Sequence, residues 1–232
     1  MFATKKEQYL EAYELSLAQR AFVLPWFGVQ AVLDPTKGRA VAGFNDAINT
    51  RRFTSALLRK LESSSEGRAL LRAKPLLSTA TLDVAALKLL PAGSLGASYA
   101  AFMDSHGFSP DDRAPVRFTT DADLAYVSAR YRQVHDFWHV LCGLPTTVLG
   151  ELALKAFEAA HTGLPSAYVS ASVGALSPAL GAAERAEYAS KYVPWAWTAG
   201  RACGCLLSFD YEGNLAQDVA GLRQRLGILP AP

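Results

Sequence analysis

The sequence predicts an all-α fold, organised as a single-domain helical fold with an antiparallel helix pair at its centre. Three observations carry this. Apolar residues recur at helical spacing in several long segments. Those segments stop at capping residues, Gly or Pro. No stretch alternates apolar and polar residues with the period of a strand.

Taken in order, residues 5–23 have helical composition, with Leu10, Leu15, Leu17, Ala18, Ala21 and Phe22 on an apolar side. Pro25 is expected to interrupt that helix, and residues 34–38 to form a turn. One helix is expected over 41–61, ended by three serines, and a shorter one over 66–73 before Pro75. Ser94 can cap a helix holding Tyr99 and Phe102. Residues 109–117, with Pro110 and Pro115, read as a surface connection. Thr120 or Asp121 then caps a long helix running to Cys142, with Gly143 as its C-terminal stop. Pro145 and Thr146 open the next helix, which runs to Thr162 and stops at Gly163. Further helices are expected over 182–192 and 215–226.

Of 232 residues, 50% are hydrophobic and 19% charged, enough apolar material for a sizeable core with some left for an exposed apolar surface. The net charge is +2, without the clustered Lys and Arg of a nucleic-acid-binding protein, so no nucleic acid is expected as partner. Cys142, Cys203 and Cys205 are odd in number, which argues against a disulfide framework and for buried free thiols. Apolar runs are broken before reaching roughly 18 residues, so no membrane span is expected.

The chemistry concentrates on the helix pair. His135 and His139 stand at i and i+4, which stacks both imidazoles on one helix face. Asp136 lies between them in sequence. Glu151 follows His139 by twelve positions, across a short turn, and can face both histidines if the second helix doubles back. Two imidazoles and two carboxylates form a mixed nitrogen–oxygen set that suits Zn2+ and is acceptable to other first-row divalent ions. Taken alone, the same residues are equally compatible with hydrogen-bonded helix histidines and solvated carboxylates. A carboxylate-bridged di-iron bundle needs two Glu-x-x-His motifs, which the chain does not carry, and a zincin needs Glu where Asp136 stands.

The run His135-Asp136-Phe137-Trp138-His139, eleven residues and Glu151 forms the pattern HDxxH-x11-E, and resembles the Coq-four family of metal-binding coenzyme Q biosynthesis proteins. The likeness extends to Leu90-Pro91-Ala92-Gly93-Ser94-Leu95-Gly96, Arg130-Tyr131-Arg132, Gly150-Glu151, Thr162-Gly163-Leu164-Pro165 and Gly200-Arg201. It covers about residues 25–229. Residues 1–24 therefore read as an N-terminal helical extension and 25–232 as one helical metal-binding domain. Tyr211-Glu212 departs from the Trp-Glu common in the family.

The resemblance implies a metal site of His135, Asp136, His139 and Glu151, filled by zinc. It implies a substrate, a prenylated aromatic ubiquinone precursor, and a reaction: decarboxylation at C1 of a 4-hydroxy-3-methoxy-5-polyprenylbenzoate, with hydroxylation of that carbon. It also implies peripheral membrane contact on the matrix side of the mitochondrial inner membrane (or the bacterial cytoplasm and inner membrane). Other ubiquinone-biosynthesis proteins would be partners in a complex, and a homodimer stays open. The competing expectation is a lipid-binding scaffold with a structural metal. Arg130 or Arg132, one to two turns before His135, could neutralise the substrate carboxylate, with plain surface placement the equal alternative for each. Trp195 and Trp197, beside Lys191, Tyr192 and Arg201, suit a membrane interface, with burial in the core the equal alternative.

Overall fold

A computed structural model of the chain describes residues 13–33 and 38–232. The described residues form helices joined by turns and loops, with no strand among them and one isolated bridge between Ser94 and Asp218. Helix α1 (Leu17–Leu33) packs on α2 (Gly38–Ile48), and α3 (Arg51–Glu62) and α4 (Ser65–Ala73) follow as a tight pair. After the short α5 (Val84–Leu87) comes α6 (Leu95–His106), then a 3-10 turn at Pro110–Asp112. The long α7 (Ala122–Cys142) leads to α8 (Val148–Thr162) and α9 (Pro165–Gly174). The chain closes through α10 (Ala182–Glu187), α11 (Val193–Ala202) and α12 (Val219–Leu226).

Local chemistry sets the ends of the elements that matter for the site. The Ser94 hydroxyl accepts from the Ala97 N–H at the start of α6. The Asp121 carboxylate accepts from the N–H groups of Asp123 and Leu124 at the start of α7. Gly143 adopts φ 74° and ends α7, a conformation in which a β-carbon would be strained. Thr147 caps α8 through the Gly150 N–H. Gly163, φ 73°, ends it.

Helix α7 is the hub. It is covered by α3, α6, α8 and α12, and α8 in turn carries α9 and α11. Tyr126, Phe137, Trp138 and Leu141 of α7 are fully buried, as are Tyr99 of α6 and Phe157 of α8. The rings of Tyr99 and Phe137 stack with centroids 4.0 Å apart. Trp138 donates to the Tyr211 hydroxyl at 2.8 Å, and that hydroxyl donates to the Leu206 carbonyl at 3.0 Å, so both polar tips are satisfied inside the core. Each such side chain contributes about 2–3 kcal/mol by burial. Helices α8 and α11 approach closely because Gly200 faces α8; a β-carbon there would lie 2.7 Å from the Phe157 carbonyl oxygen.

Several expectations need correction. The helix expected over 41–61 is two helices, broken at Asn49 and Thr50, where Thr50 is extended and precedes Arg51. Pro25 does not end α1 but lies inside it, so α1 runs across the boundary expected after residue 24. Residues 5–12 of the expected first helix and residues 34–37 of the expected turn at 34–38 lie outside the described residues. Helix α9 was not expected. The helix expected over 182–192 continues through a π-helical turn (Tyr188–Tyr192) into α11. In that turn the Val193 N–H bonds the Tyr188 carbonyl, five residues back, just before Pro194, which has no N–H to give. The last helix starts at Val219, where Asp218 accepts from Gly221, rather than at 215.

Candidate metal centre

Helices α7 and α8 bring His135, His139 and Glu151 together. One ligand atom from each lies within 4.8 Å of the others, a group that could hold a metal ion. Glu151 Oε1 is 3.1 Å from His139 Nε2, and Oε2 is 3.6 Å from His135 Nε2. The two imidazole rings stand at 89° with centroids 4.9 Å apart. Between the two helices, Tyr131 and His135 meet Glu158, whereas His139 meets Glu151.

Each imidazole is oriented from behind. His139 Nδ1 donates to the Leu144 carbonyl at 3.1 Å. That carbonyl is in place because the left-handed Gly143 folds Leu144 back over the last turn of α7, where the Leu144 N–H bonds the His139 carbonyl. His135 Nδ1 lies 2.7 Å from Glu158, on the α8 face shared with Glu151 two turns earlier. Both Nε2 atoms are thereby left as acceptors pointing to the cluster. His139 Nε2 is fully buried and has no hydrogen-bond partner, since Glu151 Oε1 sits near it but outside bonding geometry. An unpartnered buried ring nitrogen is costly in a folded protein. An imidazole lone pair facing a second imidazole and a carboxylate is what a divalent cation requires, so the residues fit a metal.

The electrostatics agree. Burial works to raise the Glu151 carboxyl; in the metal-free cluster hydrogen bonding and positive charge from the two imidazoles, a role a bound cation would take over, outweigh it and hold the group well below the usual carboxylate range. Burial lowers His139, keeping it neutral and able to ligate. The Glu151 side chain is 39% exposed, so the cluster opens to solvent on that side.

The other expected site residues are placed differently. Asp136 is buried and pairs with Arg113, not with the cluster. Successive helical residues point about 100° apart, so the carboxylate next to His135 faces the 109–117 connection. Arg130 is wholly buried and grips Glu212 through two bonds of 2.6 and 3.0 Å, with a third to the Phe209 carbonyl. Arg132 pairs with Asp46 and donates to the Ala114 and Pro115 carbonyls. Both guanidinium groups are thus taken up in structural clamps. The guanidinium that senses Glu151 is that of Arg113, where burial lowers the pKa and Tyr99 and Glu151 act to raise it.

Glu158 and Arg113 are the residues that sequence reasoning missed as members of the site. Glu158 is seven positions after Glu151, the spacing of one helix face. It also opens the chain's single Glu-x-x-His, but His161 faces elsewhere, donating to the Gly200 carbonyl and accepting from the Leu206 N–H. Arg113 carries no local signal, because its partner lies on another element.

His161 gives a pH dependence. Burial holds its pKa at about 4, below the ordinary 6.5. The fold therefore binds this proton less well than the unfolded chain, so the associated stability is present above pH 6.5 and lost as pH falls towards 4. The loss is on the order of 3 kcal/mol. Urea midpoints should drop across that window, and His161→Gln should flatten the drop; an equal slope in both proteins would refute it.

These features define an all-α protein with a two-histidine, one-carboxylate cluster fit for a metal. Compared with known proteins, residues 9–232 match the family described as coenzyme Q (ubiquinone) biosynthesis protein Coq4. The chain belongs to this family. The match begins at residue 9, earlier than the likeness noted from sequence alone. Among relatives, the Xenopus laevis ubiquinone biosynthesis protein COQ4 homolog, mitochondrial, is 38% identical over 228 residues, covering 97% of this chain and 78% of that protein. The human COQ4 homolog, mitochondrial, is 40% identical over 215 residues, covering 92% and 80%. A crystal structure of a candidate ubiquinone biosynthesis protein from Nostoc punctiforme shares the fold, with a TM-score of 0.71 at 24% identity, covering 89% of this chain and 97% of that one.

Proposed function

We propose that this chain is a metal-dependent decarboxylase of ubiquinone biosynthesis, acting at C1 of a 4-hydroxy-3-methoxy-5-polyprenylbenzoate. The observation that carries the reading is the three-ligand cluster itself. Two imidazoles and one carboxylate, open on the Glu151 side, make a catalytic pattern rather than a closed structural one. Asp136 is paired with Arg113 and lies outside this group, so three protein ligands would leave a coordination position for substrate.

Zinc, the metal we assign, would be held by His135, His139 and Glu151 and would supply Lewis acidity to orient the substrate carboxylate or to stabilise an oxyanion developing on the ring. The chain's own groups do the rest. His135 and His139 present neutral Nε2 atoms, and Glu151 stays ionised. Arg113, paired with Asp136, is the cation whose charge is felt at Glu151, whereas Arg130 and Arg132 are paired with Glu212 and Asp46. Loss of carbon dioxide leaves the bonding pair on C1 of the ring, where a proton takes it up in simple decarboxylation and an oxygen-transferring two-electron oxidant in hydroxylation. Hydroxylation of that carbon needs an oxidant from outside the chain, because zinc does not change oxidation state.

A carboxyl-labelled, prenylated 4-hydroxy-3-methoxybenzoate tests the reaction. Metal-dependent release of labelled carbon dioxide, lost in Glu151→Ala, is expected. No release by metal-loaded protein that binds the lipid would favour the scaffold with a structural metal.

Family membership and relatives named mitochondrial support a place at the inner membrane, on the matrix side, among other ubiquinone-biosynthesis proteins. No helix among the described residues is long and apolar enough to cross a membrane, so contact would be peripheral. Helix α1 offers Phe22, Trp26 and Val29 to solvent, at i, i+4 and i+7. Trp197 is 43% exposed under Arg201, whereas Trp195 is tied to the Leu229 carbonyl and stacks on Phe157. The double variant Phe22→Glu, Trp26→Glu should no longer float with cardiolipin-containing liposomes; unchanged flotation would remove α1 from the interface.

A further inference from the structure

We propose that Glu158 is the positioning residue of the metal centre: it fixes the His135 proton on Nδ1, aims Nε2 at the ion and so sets how tightly the ion is held. The inference rests on the metal-centre reading above and extends it to a residue outside the HDxxH-x11-E pattern.

Glu158 has no exposed surface, yet it carries a carboxylate. One oxygen lies 2.7 Å from His135 Nδ1. The other accepts from Lys155 Nζ at 2.7 Å and from the Tyr131 hydroxyl. An ionised carboxylate only accepts, so each of its partners must donate. Lys155 and Tyr131 have protons to give, and His135 must therefore carry its proton on Nδ1. In the neutral ring, the form that ligates a metal, Nε2 then carries the lone pair and faces Glu151. The perpendicular ring of His139, 4.9 Å away, limits the imidazole on its other side.

The two histidines are thus held by acceptors of unequal strength. His139 leans on a neutral backbone carbonyl and His135 on a carboxylate. A carboxylate behind an imidazole increases the electron density its other nitrogen offers a metal. A buried ionised group is poor stabilisation compared with an apolar side chain of similar size. Three donors converging on Glu158 at the back of a candidate ligand therefore point to a task in metal binding.

The test measures zinc affinity by competition with a chromophoric chelator, alongside long-range 1H–15N spectra of the imidazoles in metal-free protein. Glu158→Gln should weaken zinc about 10- to 100-fold. The wild-type His135 spectrum should be that of the Nδ1–H form and become a tautomer mixture in Glu158→Gln. Tyr131→Phe, which removes one donor but leaves the His135 contact, should keep near-wild-type affinity. If Glu158→Gln does not fold because Lys155 loses its counter-charge, the charge-balanced E158Q/K155M variant carries the same expectation. Wild-type affinity in a folded Glu158 variant, or an unchanged His135 tautomer, overturns the proposal while leaving the metal centre standing. Wild-type protein that takes up no zinc overturns both.

Discussion

Replacing His139 with Ala is expected to abolish stoichiometric zinc binding. A set of protein ligands holds zinc with about 10–16 kcal/mol in favourable cases. Removing one of three therefore weakens the ion by roughly several hundred- to several thousandfold. The fold should survive. The substitution deletes a buried ring nitrogen that has no partner, and leaves the Leu144 carbonyl as the group newly unpaired. That costs about 1–3 kcal/mol. Metal analysis of folded His139→Ala protein reads the outcome; full zinc stoichiometry there would remove His139 from the ligand set.

Arg130→Ala is expected to have the second large effect, on stability and not on the site. Arg130 is wholly buried, and its two bonds to Glu212 tie α7 to the 3-10 turn at Glu212–Asn214. Breaking a buried pair from one side costs about 3–5 kcal/mol. Glu212 is 25% exposed and can recover some hydration, which favours the lower end. In a chain of this size about 3 kcal/mol lowers Tm by roughly 10 °C. Zinc content of the folded fraction should be unchanged. Arg130→Met with Glu212→Leu, which removes both charges, should recover most of the loss. A variant of normal stability that has lost turnover would instead restore Arg130 to a catalytic role.

That contrast shows which parts of the site could be read before any coordinates. The i, i+4 histidines and the glutamate twelve positions on are local facts of two helices joined by a short turn, and the structure brings the three together. The same reasoning, carried one step further, excludes Asp136 from that face, because neighbouring helical residues diverge by about 100°. The roles of Arg130, Arg132 and Arg113 depend on Glu212, Asp46 and Asp136, which lie 82, 86 and 23 positions away. Nothing local specifies such pairs.

The fold divides along the same line. Helix ends set by a side-chain cap or a left-handed glycine, at Ser94, Asp121, Gly143 and Gly163, were legible because capping acts within a few residues. The uninterrupted passage of α1 through Pro25 was not, since it reflects packing against α2 rather than propensity. Nor was α9, which is short and lacks a side-chain cap.

The central claim is that His135, His139 and Glu151 hold a metal ion. It is tested most directly by anomalous diffraction at the zinc edge from crystals of the purified chain. The account predicts a single strong peak about 2 Å from both Nε2 atoms and from a Glu151 oxygen. Zinc-loaded crystals with no peak at that position, or with the peak at another group, would contradict it.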